Sequence, residues 1–169
     1  MEMPELTVFQ NALTPMMHTE MAEAHTDLVS YYSSPMRMLV AANHAYFDTF
    51  PDQEPGMYML EWSFTPQGHE QLITWEEQVR WGVAWHRGIM GRYGKTEWAL
   101  QAHRRLWQFP EFREMWESGG VGYAHSDDWE VQVMVHGRPH RMTMENWLMY
   151  NDTDAPIMRS RGRLYPLDD

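Results

Sequence analysis

Apolar residues recur at helical spacing near the start of the chain, over residues 5–26. Residues three and four apart share one face of a helix, so this spacing predicts an amphipathic helical segment. Its apolar stripe comprises Leu6, Phe9, Leu13, Met17, Met21 and Ala24. Pro15 interrupts the segment, because proline lacks the N–H that a continuous helix uses. We therefore expect an N-terminal helical segment at 1–26, followed by a larger domain at 27–169.

The pattern changes to short runs of strand-forming residues after this segment. LVSYY (28–32) and MRMLVA (36–41) flank Ser33-Ser34-Pro35, whose composition is typical of a turn, and together they predict a β-hairpin. Asn43 follows where a helix N-cap belongs, because its side chain can accept a hydrogen bond from a free backbone N–H. It predicts a short helix that ends before Pro51.

Two longer helices are predicted in the middle of the chain. Thr74 stands at the N-cap position of the first, and Glu76 lies in the first turn, where a negative charge suits the helix dipole. The second runs from about 96 to 117, with a new helical segment beginning at Pro110. Before both of them, 57–64 is an apolar run that fits either a helical turn or a buried extended segment.

The C-terminal third is patterned as strands. VGYAHS (121–126), WEVQVMVH (129–136), HRMTMENWLMY (140–150) and IMRSR (157–161) are separated by turn compositions. In the second of these runs apolar and polar residues alternate, which is the period of a half-buried strand. Helices followed by a meander of strands indicate an α+β fold, in which helices cover one face of an antiparallel sheet.

Composition changes this picture by suggesting a cavity. The chain has 169 residues, enough for one domain, and it contains 16 Met and 9 Trp but no cysteine. Methionine adapts to irregular apolar shapes, and tryptophan offers a large apolar face with one donor. The two together favour a pocket for a bulky apolar or aromatic molecule, although a core that uses these residues explains the composition equally well.

Charge and the first residues limit the partners and the location. The formal net charge of −11 argues against nucleic acid, since affinity for phosphates comes mainly from Lys and Arg. MEMPELTVFQ has acids where a signal peptide needs basic residues, and no apolar run is long enough to span a bilayer. We expect a cytoplasmic protein that binds neither nucleic acid nor membrane directly.

Several motifs along the chain occur in the order of a known family. VAAN (40–43) closes the hairpin and opens a helix, and MLEWSFTP (59–66) is rich in Leu and ends in Phe before a proline. Trp75-Glu76 begins a helix that continues through Ala84-Trp85-His86-Arg87. FPEFREMW (109–116) is the most specific motif. With these motifs the chain resembles the ligand-binding domain of MmyB-like transcription regulators, a PAS-like domain.

The resemblance covers about residues 27–161, with departures. The family's Arg-Asn step is Met57-Tyr58 here, and its His-Pro step is His136-Gly137. Family members also carry an N-terminal helix-turn-helix domain, which we do not expect in this chain. The resemblance implies a cavity between sheet and helices for a small apolar molecule, including fatty-acid-like ligands.

Aromatic side chains are the predicted walls of this cavity. The candidates are Trp62, Phe64, Trp75, Trp85, Phe112, Trp116 and Trp147. For each ring taken alone, ordinary core packing is the simpler interpretation. Arg87, within the long helix, could hold a carboxylate through two hydrogen bonds, or it could pair with a surface acid such as Glu114.

The function predicted first is a PAS-like sensory domain that encloses a small molecule and signals through a homodimer or a regulatory partner protein. The alternative is a stand-alone enzyme of specialised metabolism that uses the same cavity. Its candidate acid–base groups are His86, His103, His125 and Tyr123. We expect no cofactor, and no metal site, because the histidines lack the spacing of a zinc helix.

Overall fold

The part of the chain that the structure describes forms a five-stranded antiparallel sheet, whose first two strands precede most of the helices and whose last three follow them. A computed structural model describes residues 5–119, 129–149 and 156–167. The helices are α1 (Leu6–Asn11), α2 (Pro15–Glu23), α3 (His44–Thr49), α4 (Met59–Ser63), α5 (Pro66–Gln71), α6 (Trp75–Tyr93), α7 (Glu97–Leu106) and α8 (Pro110–Glu117). The strands are β1 (Leu28–Ser33), β2 (Leu39–Ala42), β3 (Trp129–Val135), β4 (Arg138–Met149) and β5 (Ile157–Pro166). The α+β prediction is confirmed.

The strands lie in the order β2-β1-β5-β4-β3, and all neighbours are antiparallel. The hairpin of β1 and β2 and the meander of β3, β4 and β5 therefore join along β1 and β5. Ser30 of β1 lies opposite Ser160 of β5, which in turn lies opposite Asn146 of β4. This register places the three side chains in one row across the centre of the sheet.

The sheet has two different faces, because successive side chains of a strand point to opposite sides. We call the face that carries Ser30 and Tyr32 the inner face; it is covered by helices of the middle segment. The opposite, outer face carries Val29. Phe9 of α1 and Met17 of α2 are buried in the same apolar cluster as Val29. The apolar stripe of the N-terminal segment is thus covered by the chain's own sheet, while the domain boundary at residue 26 stays a prediction.

Most helix signals in the sequence have structural counterparts. The Asn43 side chain accepts a hydrogen bond from Tyr46 N at 3.0 Å, as its N-cap position predicts. The breaks at Pro15 and Pro110 are both present. The predicted cap at Thr74 is wrong in detail, because its side chain makes no capping hydrogen bond, although the helix begins there. Helix α5 was not expected, and the VGYAHS run (121–126) lies outside the described residues.

Candidate ligand-binding site

An apolar cavity of about 150 Å³ lies between the inner face of the sheet and helices α4 and α6. Methionines supply much of its wall, from the hairpin turn, from α4 and from the two strands β4 and β5. These residues are Met36, Met59, Met142, Met144 and Met158. Aromatic rings supply another part, namely Tyr32, Tyr46, Phe50, Tyr58, Trp62, Trp81 and Trp85.

A glycine allows α6 to come close to α4 beside the cavity. A Cβ atom added at Gly82 would lie 2.6 Å from Cδ1 of Leu60, closer than real Cβ contacts. The two residues both line the cavity. A larger side chain at position 82 would therefore push Leu60 aside and reduce the free volume.

A chain of hydroxyl groups crosses the cavity wall. The Ser30 hydroxyl donates to Tyr32 Oη at 3.1 Å, and the Tyr32 and Tyr46 hydroxyls lie 2.9 Å apart. Tyr46 in turn donates to Oε1 of Gln53. Burial raises the pKa of both tyrosines, so both remain protonated. Because Tyr46 donates its only hydroxyl proton to Gln53, Tyr32 donates to Tyr46 and Ser30 donates to Tyr32. The Ser30 oxygen therefore accepts no hydrogen bond within this series of hydroxyl groups and keeps its lone pairs for another donor.

Arg37 brings a positive charge into this apolar site. Its guanidinium lies 5.4 Å from the ring centroid of Trp81 and 3.8 Å from Sδ of Met158. Burial lowers the pKa of Arg37, and Tyr32 acts in the opposite direction. The backbone at Arg37 has φ 57°, a left-handed conformation that is uncommon for residues other than glycine. A strained turn thus holds this cation at the cavity wall.

Three polar side chains of the cavity contain a buried oxygen that has no hydrogen-bond partner among the described residues. These atoms are Oγ of Ser160, Oδ1 of Asn146 and Oε1 of Gln78. Ser160 is only 1% exposed. An unsatisfied buried polar atom costs about 1–3 kcal/mol, so such atoms are normally paired with protein, water or a ligand. The inner face of the sheet therefore offers a polar row, Ser30, Ser160 and Asn146, within an otherwise apolar cavity.

His86 occupies the helical side of the cavity and is 2% exposed. Its Nε2 lies 3.4 Å from Nδ1 of His103. Burial, together with the charge of His103, lowers the pKa of His86 to about 4. Burial also lowers the pKa of His103. Both rings are packed against Phe112 and Trp116.

The structure places three of the residues singled out in the sequence at the cavity. These are Trp62, Trp85 and His86. His103 stands behind His86 and does not line it. His125 and Tyr123 lie outside the described residues. Contact of any of these residues with a ligand stays a prediction.

The rings of the FPEFREMW motif belong to a separate core cluster. Phe112 packs edge to face against Phe64, with ring centroids 5.8 Å apart, in a cluster that also contains Val79 and Val83 of α6. Phe112 is completely buried there. Trp116 flanks this cluster. The structure thus places these rings in core packing, the simpler of the two interpretations.

Arg87 and Trp75 have structural contacts away from the cavity. The Arg87 guanidinium donates to the carbonyl oxygen of Met115 at 3.3 Å and to that of Trp116, whose ring it also covers. A positive charge there suits the C-terminal end of α8, where carbonyl groups lack helical partners. Trp75 Nε1 donates to Ser63 O at 2.6 Å.

Trp147 lies on the outer face of the sheet, opposite the cavity. It is 42% exposed, and the guanidinium of Arg159 lies 4.6 Å from its ring centroid. Its neighbour Asn146 belongs to the inner face. The alternation of Met142, Met144 and Asn146 along β4 is the sequence signal that separates the cavity face from the face that carries Trp147.

The described ranges contain no group of three or more His, Cys, Asp or Glu side chains that could hold a metal ion. Within the same ranges, no helix has the length and apolarity required to cross a bilayer.

A sheet whose inner face encloses an apolar cavity against helices, with a few polar groups inside, is the usual architecture of a small-molecule-binding domain. The family model for the MmyB-like transcription regulator ligand binding domain matches residues 18–158. The chain therefore belongs to this family, whose members bind small molecules through a regulatory domain, and the resemblance inferred from the sequence is confirmed. No curated protein and no solved structure shows significant similarity to the chain.

Proposed function

We propose that the domain encloses an apolar or aromatic small molecule in the cavity between the sheet and helices α4 and α6. The observation that carries this proposal is the cavity itself, whose wall is built from five methionines and seven aromatic rings. Such a wall gives a ligand apolar contact on all sides, and the methionines can adjust to its shape.

The cavity volume favours a compact ligand. An apolar cavity of about 150 Å³ in another protein binds benzene, and pockets for drug-sized ligands are about 300 Å³ or more. The volume of about 150 Å³ here thus fits a single ring or a short chain. A long fatty acid would require several methionine side chains to move.

The enzymatic alternative has one observation in its favour, the pair of His86 and His103 beside the cavity. A general base works best when its pKa lies near the operating pH. The pKa of His86 is about 4, so the ring is neutral but weakly basic at pH 7. This property suits a hydrogen-bonding wall better than a proton shuttle, and we therefore favour binding over catalysis.

The compartment, the domain boundary and the output of the regulator are also proposed. We propose a cytoplasmic regulator in which 27–169 forms the PAS-like domain and 1–26 is an added helical segment. The output would pass through a homodimer or a partner protein, since the formal net charge of −11 disfavours direct contact with nucleic acid.

Native mass spectrometry of the purified protein, with extraction of any copurifying compound, tests the proposal. Titration with apolar probes, measured by isothermal calorimetry on wild type and variants, tests where the ligand binds. Gly82→Leu fills the cavity and should abolish binding. Gly91→Leu is the matched control on the same helix, because Gly91 is exposed with nothing within 4 Å of an added Cβ. Equal affinities for the two variants would place the ligand elsewhere.

A further inference from the structure

Two sets of polar groups lie at different places in the cavity wall. One is the Arg37 guanidinium, in contact with Trp81 and Met158. The other is the polar row of Ser30, Ser160 and Asn146. Met158 and Ser160 are two residues apart on the inner face of β5, so the two positions lie at different places along this strand.

The two positions call for different chemical groups. Arg37 presents N–H donors and a positive charge, which match a carboxylate. The polar row presents mainly acceptors, namely the lone pairs of Ser30 and the unsatisfied Oδ1 of Asn146. Oε1 of Gln78 adds a third acceptor from α6. These oxygens match an O–H or N–H donor.

Resting on the proposed function of the same cavity, we propose that the ligand is a compact aromatic carboxylic acid that carries a hydroxyl or N–H donor at its far end. Its carboxylate pairs with Arg37, and its donor reaches the Ser30–Ser160–Asn146 row. Its ring lies between them, against the methionines of the sheet. The volume of about 150 Å³ admits one ring with two small substituents.

Four probes separate the parts of this proposal when their affinities are measured by calorimetry. 4-Hydroxyphenylacetate contains all three features, phenylacetate lacks the hydroxyl group, 4-methylphenol lacks the carboxylate, and dodecanoate replaces the ring by a long chain. We expect 4-hydroxyphenylacetate to bind tightest. Loss of the carboxylate should weaken binding roughly ten- to a hundred-fold, and loss of the hydroxyl group about ten-fold.

Two variants test which protein groups bind the carboxylate and the hydroxyl group of the probe. Arg37→Gln should weaken binding of both phenyl acids roughly ten- to a hundred-fold while leaving 4-methylphenol unchanged. Ser160→Ala should reduce the preference for 4-hydroxyphenylacetate over phenylacetate. Arg141→Gln is the matched control, since Arg141 is a partly exposed residue of the outer face whose guanidinium pairs with Glu130. Thermal melts show whether each variant is folded.

The outcomes distinguish this proposal from the proposed function. If 4-methylphenol or dodecanoate binds wild type at least as tightly as 4-hydroxyphenylacetate, the domain binds ligands but the assignment of the two polar positions is wrong. The same conclusion follows if Arg37→Gln, shown to be folded, binds the acids as wild type does. If none of the four probes binds wild type, and Gly82→Leu retains the same copurifying compounds as wild type, both proposals fail.

Discussion

The imidazole rings of His86 and His103 lie nearly parallel, at an interplanar angle of 6°, with ring nitrogens 3.4 Å apart. One ring borders the cavity, and the other lies between it and the surface. Both rings are packed among Phe112 and Trp116, where an added proton would find little solvation. The pair therefore joins the cavity wall to the aromatic cluster of α8 as a neutral hydrogen-bonded unit.

This pair predicts an acid-dependent loss of stability. The pKa of His86 is about 4 in the folded protein, against about 6.5 in an unfolded chain, so the unfolded state binds more protons between these values. The free energy of unfolding should be unaffected above pH 6.5 and should fall by up to about 3 kcal/mol as the pH drops towards 4. In His86→Gln this part of the pH dependence should be lost.

Urea unfolding at several pH values between 4 and 8 measures the effect. His44→Gln, at an exposed position of α3, is the control and should keep the wild-type pH dependence. Parallel pH profiles for wild type and His86→Gln would contradict the burial of a neutral His86.

The close contact between α4 and α5 predicts a strict requirement for glycine at position 68. A Cβ atom there would lie 2.4 Å from the carbonyl oxygen of Trp62 and 2.8 Å from backbone atoms of Ser63. Because backbone cannot move aside as a side chain can, Gly68→Ala should destabilise the fold by about 2–3 kcal/mol. Gly91→Ala, where the added Cβ meets nothing within 4 Å, should instead stabilise it by up to about 1 kcal/mol. Chemical denaturation of both variants tests this pair, and a neutral result for Gly68→Ala would refute the contact.

Glu20 connects helix α2 to the outer face of the sheet. Its carboxylate accepts hydrogen bonds from the Tyr31 hydroxyl at 2.6 Å and from Nε of Arg159 at 2.8 Å. The hydrogen bond from Arg159 is the main cause that lowers the pKa of Glu20. Glu20→Gln should therefore cost about 1–2 kcal/mol at neutral pH. The difference from wild type should shrink as the pH falls through the lowered pKa of Glu20, because wild type then also carries a neutral side chain.

Thermal unfolding at pH 7 and at acid pH checks this prediction. The exposed Glu23 on the same helix is the matched control, and Glu23→Gln should have almost no effect. Similar losses in the two variants would show that charge on α2, and not this connection, determines the result.

Two tryptophans on opposite sides of the sheet, one in α6 and one in β4, predict different effects on ligand binding. Trp85 lines the cavity, whereas Trp147 lies on the outer face. Trp85→Ala should weaken binding of 4-hydroxyphenylacetate by ten-fold or more, and Trp147→Ala should leave it unchanged. Calorimetry measures both affinities. A larger loss in Trp147→Ala would exclude the cavity as the binding site.

Local signals explain which parts of the fold were predictable. The hairpin turn, the N-cap at Asn43 and the helix start at Pro110 each depend on a few adjacent residues, and each is present. Strand β3 was predictable from the alternation of apolar and polar residues alone. Helix α5 was missed because its stripe is too short to show a period.

The candidate site was harder to predict, because apolar spacing identifies a buried face without showing which element covers it. Phe112 and Trp62 carry the same kind of signal, yet one packs in the α8 cluster and the other borders the cavity. Arg37 was missed altogether. Arg37 lies in the turn between β1 and β2, and a turn has no periodic pattern from which the direction of a side chain could be predicted.

The central pairing of β1 with β5 has a consequence for how the chain acquires its cavity. Ser30 and Ser160 are neighbours across this pairing although they are far apart in sequence. Such long-range pairings close late in folding, because a large loop must be ordered first. A nascent chain, or one cleaved before β5, therefore lacks the part of the cavity wall that Met158 and Ser160 provide. A ligand of this site would stabilise only chains in which β5 has joined the sheet, so its presence would protect those chains selectively against proteolysis.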